Sequence, residues 1–291
     1  MTSQQALQTS ALSRFIRRIP TTVFISLFVL VVLTVLAIFS PMFEPHSPTS
    51  QSLLNRFQPP AGLGGNTEHW LGTDNLGRDI LSRVLRSLRT TLTIAALGTI
   101  IGATAGTLLG LISGLSGPRV DNLIMFLVDA QLAVPFTLVA LVMIAIFGTS
   151  LLILIPVIGL AEWSEYARIT RGQVLSTREA LFVEAIGALG GSRTRIALRH
   201  VLPNILSPVI VLITYSFSQI MLLESSLSFL GLGVQPPDMS LGSMVGSGRD
   251  YLINAWWVAL IPSIVLVLIT TALSLVGDWL RDTLDPQLKG G

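Results

Sequence analysis

The chain has 291 residues, 51% of them hydrophobic and only 12% charged, with a mean hydropathy of +0.72. A soluble domain carries about twice that charge, so the chain reads as an integral membrane protein; zero Cys excludes disulfides, iron–sulfur clusters and thiol chemistry. The sequence pI of 9.5 does not imply nucleic acid, because the basic residues cluster at the edges of apolar runs, where membrane orientation explains them.

Residues 1–20 are polar, then basic at Arg14, Arg17 and Arg18. Residues 21–40 carry no charge and are long enough to cross the hydrocarbon core as a helix. A cleaved signal peptide has a shorter apolar core and a small-residue cleavage site. Here Pro41-Met42-Phe43 follows a full-length span, so the segment reads as a retained anchor with a cytosolic N-terminus. Residues 41–89 are the longest polar stretch, rich in Pro, Gly and Asn, and are expected outside. Within them the string HWLGTDNLGRDILSR starts at His69. Asp74 or Asn75 can cap the helix that follows, and Asp79 sits near its positive end. Leu81, Val84, Leu85 and Leu88, with Arg83 and Arg86, make that helix amphipathic as it enters the membrane.

A second span is expected at about 91–115. Gly98, Gly102, Gly106, Gly110 and Gly114 recur at every fourth residue. Each costs roughly 1 kcal/mol of helix propensity relative to Ala. The stripe therefore implies close approach of another backbone, with packing inside this chain favoured over a dimer contact. The third span, about 122–147, contains Asp129, with Pro135 six residues on. A carboxylate in a span is costly unless it pairs or meets water. Asp129 either reaches the interface or lines or gates a path. The fourth span, about 151–170, ends in a polar rim of Glu162, Trp163, Glu165, Tyr166 and Arg168, in which Glu165 and Arg168 can pair.

Residues 176–203 form a highly charged stretch between two apolar runs. Leu181, Ala185 and Leu189 recur at helical spacing, Gly190 and Gly191 end that helix, Ser192 can cap a second segment, and Pro203 suits the first turn of the next span. By composition this is a loop with ordinary positive-inside charge; by spacing it is a docking element. Glu184-Ala185, then Gly190, then Leu202-Pro203, resembles the EAA loop of ABC-importer permeases. Ile186 stands at the third motif position, and His200 stands where the motif has isoleucine. The strings GSRTRIALRHVLPN and LGTDNLGRDILSR are similar to the dipeptide, oligopeptide and nickel branch of that family.

The fifth span, 203–230, contains Glu224 about two turns from its outer end; it is read either as a substrate-facing charge or as a partner of an arginine. A loop at 231–253 and a sixth span at about 254–275, with Trp256 and Trp257 at its outer interface, precede a cytosolic tail at 281–291. This layout puts 12 of the 18 Lys and Arg residues inside and 6 outside, as the positive-inside rule requires.

The resemblance implies an all-α integral membrane fold of the type I ABC-importer permease kind: six transmembrane helices, both termini cytosolic, and a five-helix core over residues 90–280. It implies a bacterial plasma (inner) membrane subunit that takes up peptides, nickel or another small solute by alternating access. It also implies a second permease, two ABC ATPases and an extracytoplasmic solute-binding protein as partners, with lipid around them and no nucleic acid. The coupling residues it implies are Leu181, Phe182, Glu184, Ala185, Gly190, Leu202 and Pro203. Cofactors, a metal and catalytic residues are not expected on this chain. Its one Lys, Lys289, is followed by Gly290, which excludes a P-loop; ATP and Mg belong to the ATPases. An ion-gradient transporter using Asp129 and Glu224 is the alternative, although the halves show no inverted repeat. An intramembrane enzyme lacks a Ser/His, paired-Asp or His-Glu-x-x-His set.

Overall fold

The computed structural model describes residues 20–181, 186, 195 and 197–284. Among these residues the helices are α1 (Thr21–Ile38), α2 (Ser40–Phe43), α3 (Ile80–Leu115), α4 (Pro118–Ala133), α5 (Phe136–Phe147), α6 (Leu151–Gly159), α7 (Trp163–Arg178), α8 (Leu202–Phe229), α9 (Leu241–Gly248) and α10 (Trp257–Leu284). Four of them, α1, α3, α8 and α10, are long and apolar enough to cross a membrane, and α4 with α5 make a fifth crossing if the bent pair counts as one span.

α3 is one unbroken rod of 36 residues, so the amphipathic helix and the second span are a single element. Its cap is Asp79 itself, whose Oδ2 accepts from Ser82 N at 2.8 Å and Ser82 Oγ at 2.7 Å. Asp74, a sequence candidate for that cap, instead closes the preceding turn: its Oδ1 accepts from the amides of Leu76 and Arg78, and its Oδ2 from Arg78 Nε at 2.7 Å.

The third expected span is broken. Proline disfavours a helical residue before it; Val134 is extended, and the axes of α4 and α5 diverge by 89° at Val134-Pro135. The fourth expected span is broken too, between α6 and α7. Non-helical backbone at membrane depth must find partners inside the protein. Here Gln131 Nε2 of α4 donates to the carbonyls of Leu160 (3.2 Å) and Ala161 (2.8 Å).

α7 lies along α3, and the glycine stripe explains how closely. A Cβ at Gly102 would stand 2.6 Å from the Gly159 carbonyl oxygen, one at Gly110 2.6 Å from that of Ala167, and one at Gly114 2.6 Å from Val174 Cγ1. The stripe is therefore used within the chain. At one end of the bundle, residues 44–79 and 230–256 form a cap. Trp257 Nε1 donates to Thr73 O at 3.0 Å, Leu241 N donates to Thr91 Oγ1 at 2.9 Å, and Arg86 forks onto Glu44 at 2.9 and 3.0 Å. The largest apolar cluster sits beneath this cap, around Ile80, Leu88, Ile158, Ile220, Leu241 and Met244. α1 leaves Phe24, Phe28 and Val31 exposed at the periphery, as a lipid-facing helix does.

Candidate functional site

The candidate coupling loop leaves the bundle at the end opposite the cap. α7 ends at Arg178, and Arg178 Nη1 donates to the Gly114 carbonyl in the last turn of α3 at 3.1 Å. Leu181 projects outward, 83% exposed. Phe182, Glu184, Ala185 and Gly190 lie outside the described residues. The chain returns through a π-helical turn at Ala197–Val201 that runs directly into α8. Leu202 is half-buried, and Pro203 is exposed in the first turn of α8, where its missing N–H costs no helix bond. Val174 of α7 packs with Val201 and Ile205, and Leu111, Leu115 and Leu202 pack around them. Both ends of the loop are thus clamped to α3, α7 and α8. Next to the clamp, Arg171 Nη2 of α7 donates to Asp121 Oδ2 of α4 at 2.6 Å.

The two intramembrane carboxylates differ sharply. Asp129 is 68% exposed on the surface of α4 and accepts from Arg168 Nη2 of α7 at 2.7 Å. Arg168 thus pairs across helices and not with Glu165. Glu224 is fully buried within the chain. Its Oε1 accepts from Ser228 Oγ and Ser240 Oγ, both at 2.6 Å, which joins α8 to the start of α9. Among the described residues the hydrogen-bond partners of Glu224 are hydroxyls of its own chain and not an arginine, and Asp129 and Glu224 are not brought together. Glu162 is expected in the interfacial rim. Its carboxylate stands at the α6–α7 break and accepts from Ser216 Oγ of α8 at 3.2 Å; an acid in a polar rim gives no sign of a helix break. Within the cap an open cleft of about 640 Å³ is lined by Arg78, Arg83, Arg249, Asp238 and Ser228, among others.

Comparison with known proteins places the chain in a family. Residues 106–290 match the family described as binding-protein-dependent transport system inner membrane component, and residues 11–60 match the N-terminal TM domain of oligopeptide transport permease C. The Di/tripeptide transport system permease protein DppC of Pseudomonas aeruginosa (strain UCBPP-PA14) is 41% identical over 254 residues, spanning 87% of this chain and 84% of that one. The Probable D,D-dipeptide transport system permease protein DdpC of Escherichia coli (strain K12) is 34% identical over 262 residues, spanning 90% of this chain and 86% of that one. The inward facing MetNI methionine ABC transporter has a similar fold, with a TM-score of 0.59 at 17% identity, over 71% of this chain and 98% of that chain.

Fold and site together define a multi-pass, non-catalytic membrane permease. The chain belongs to the family of binding-protein-dependent transport system inner membrane components, the permeases of ABC importers, and resides in the inner membrane.

Proposed function

We propose that this permease takes up di- or oligopeptides by alternating access, driven by ATPases on separate chains that dock on the loop at residues 176–203. The observation that carries the reading is the double clamp on that loop. Arg178 fastens its entrance to the end of α3, and the apolar contact of Val174 with Val201 and Ile205 fastens its exit, at the start of α8, to α7. A push on the loop is therefore delivered to three helices at once. The EAA-like spacing supports the assignment of the loop, and the names of the relatives support peptides as the solute class.

In this reading the chain crosses the membrane six times, with both termini cytosolic and the cap external. α4 with α5 make the third crossing and α6 with α7 the fourth. A second, homologous permease completes the pathway, ATP and Mg bind the two ATPases, and an external binding protein delivers the solute. Leu181, Phe182 and Ala185 give the ATPase an apolar contact, Glu184 orients it, Gly190 turns the chain, and Leu202-Pro203 tie it to α8. Asp129, which faces out of the single chain, borders the pathway. Glu224 meets the pathway when the contact between α8 and α9 opens.

The test is uptake coupled to ATP hydrolysis in vesicles reconstituted with the whole transporter. Glu184→Lys and Gly190→Leu are expected to insert and assemble while losing most peptide uptake per ATP hydrolysed. Wild-type uptake by both variants would overturn the docking assignment. Uptake of nickel in place of peptides would overturn the solute class alone.

A further inference from the structure

Two histidines of the cap converge on the residue that starts α3. His69 Nδ1 lies 3.0 Å from Asp79 Oδ1, and His46 Nδ1 lies 4.0 Å from the same oxygen. One ligand atom from each of the three residues falls within 4.8 Å of the others. Asp79 and His69 are buried and His46 is partly exposed. His46 Nδ1 is nevertheless enclosed by protein and has no hydrogen-bond partner among the described residues, although buried polar atoms as a rule have one.

We propose that His46, His69 and Asp79 hold a divalent transition-metal ion, with Zn²⁺ the best match and water completing its coordination. The donor set decides the class of ion. Two imidazoles and one carboxylate suit zinc, nickel or copper, whereas magnesium and calcium prefer oxygen ligands throughout. The spacing agrees. Ligand atoms on a tetrahedral zinc with bonds of about 2.1 Å stand about 3.4 Å apart. Two of the three separations, 3.0 and 4.0 Å, bracket that value; all three lie within 4.8 Å, so binding requires the partly exposed His46 ring to turn inward.

The Asp79 carboxylate is oriented by its own hydrogen bonds, as metal ligands usually are, and the backbones that carry the two histidines are anchored beside it. Ser82 N and Ser82 Oγ occupy Asp79 Oδ2, which leaves Oδ1 facing the rings. The same hydroxyl accepts from His46 N at 3.1 Å, and Asn66 Oδ1 accepts from His69 N at 3.3 Å. A bound cation compensates the buried Asp79 charge. It staples the segment after α2, the loop before α3 and the first turn of α3. This role is structural, is separate from solute transport and does not depend on the solute class.

The experiment uses the full chain, purified in detergent with its affinity tag removed, and Zn²⁺ alone as the probe, titrated against a chromophoric chelator. Wild type is expected to bind one zinc ion, and His46→Ala is expected to weaken binding by at least about tenfold. His46→Ala leaves Asp79 capping α3; gel filtration checks that the variant is folded, and His69→Gln is the second variant. Co²⁺ substituted for zinc should give the visible spectrum of a nitrogen- and oxygen-ligated site in wild type, and His46→Ala should lose it. The assignment is overturned if wild type binds no stoichiometric zinc, or if His46→Ala and His69→Gln both bind it as tightly as wild type.

Discussion

Glu224 shows how an acid inside an apolar helix is half satisfied by its own chain, its Oε2 being buried without a partner among the described residues. Its Oε1 takes two short hydroxyl bonds, one from its own helix at Ser228 and one from Ser240, the N-cap of α9. The sequence exposed the anomaly, a carboxylate in an uncharged run, but not the solution, because Ser240 lies sixteen positions away beyond a loop. The same holds for Asp129, whose partner Arg168 sits on a helix that begins after two breaks. Glu224→Gln keeps an oxygen acceptor at this point. It is expected to unfold in detergent within about 1 kcal/mol of wild type, whereas Glu224→Ala leaves two buried hydroxyls unmatched and a cavity beside them, at about 2 kcal/mol or more. Thermal unfolding of the purified chain separates the two outcomes.

At the level of elements, spans with uniform hydropathy were legible and broken ones were not. α1 and α8 follow their apolar runs closely, while α10 continues to Leu284, nine residues past the expected end of the sixth span. The α4–α5 bend lies within an apolar run, where hydropathy is blind to it, and only Pro135 marks it. The glycine stripe on α3 was legible as a close-packing face, but its partner α7 was not, since nothing in a one-dimensional pattern names the opposing surface. The stripe gives a sharp expectation. Gly110→Leu forces a side chain into the Ala167 carbonyl and Thr170, and overpacking of this kind costs about 1–3 kcal/mol. The variant should show reduced membrane accumulation and a lower melting temperature, whereas Gly117→Ala, a glycine with open space around it, should leave both unchanged.

For the whole molecule, the proposed orientation is open to a clean measurement, because the chain has no cysteine to give background labelling. Leu54 in the cap is 98% exposed, and Leu181 is exposed at the opposite end of the bundle. With the cap external, a membrane-impermeant maleimide should label Leu54→Cys in intact spheroplasts and Leu181→Cys only in inverted vesicles. The reverse pattern would refute the topology.

α3 has a further consequence at this scale. Thirty-six residues of continuous helix extend about 54 Å, against a hydrocarbon thickness of about 30 Å. Such a beam is longer than the bilayer is thick; tilted by about 10° around its middle, it would swing its two tips roughly 5 Å in opposite directions. Narrowing a vestibule on one side of the lipid would then widen its counterpart on the other, with no turn of helix having to unwind.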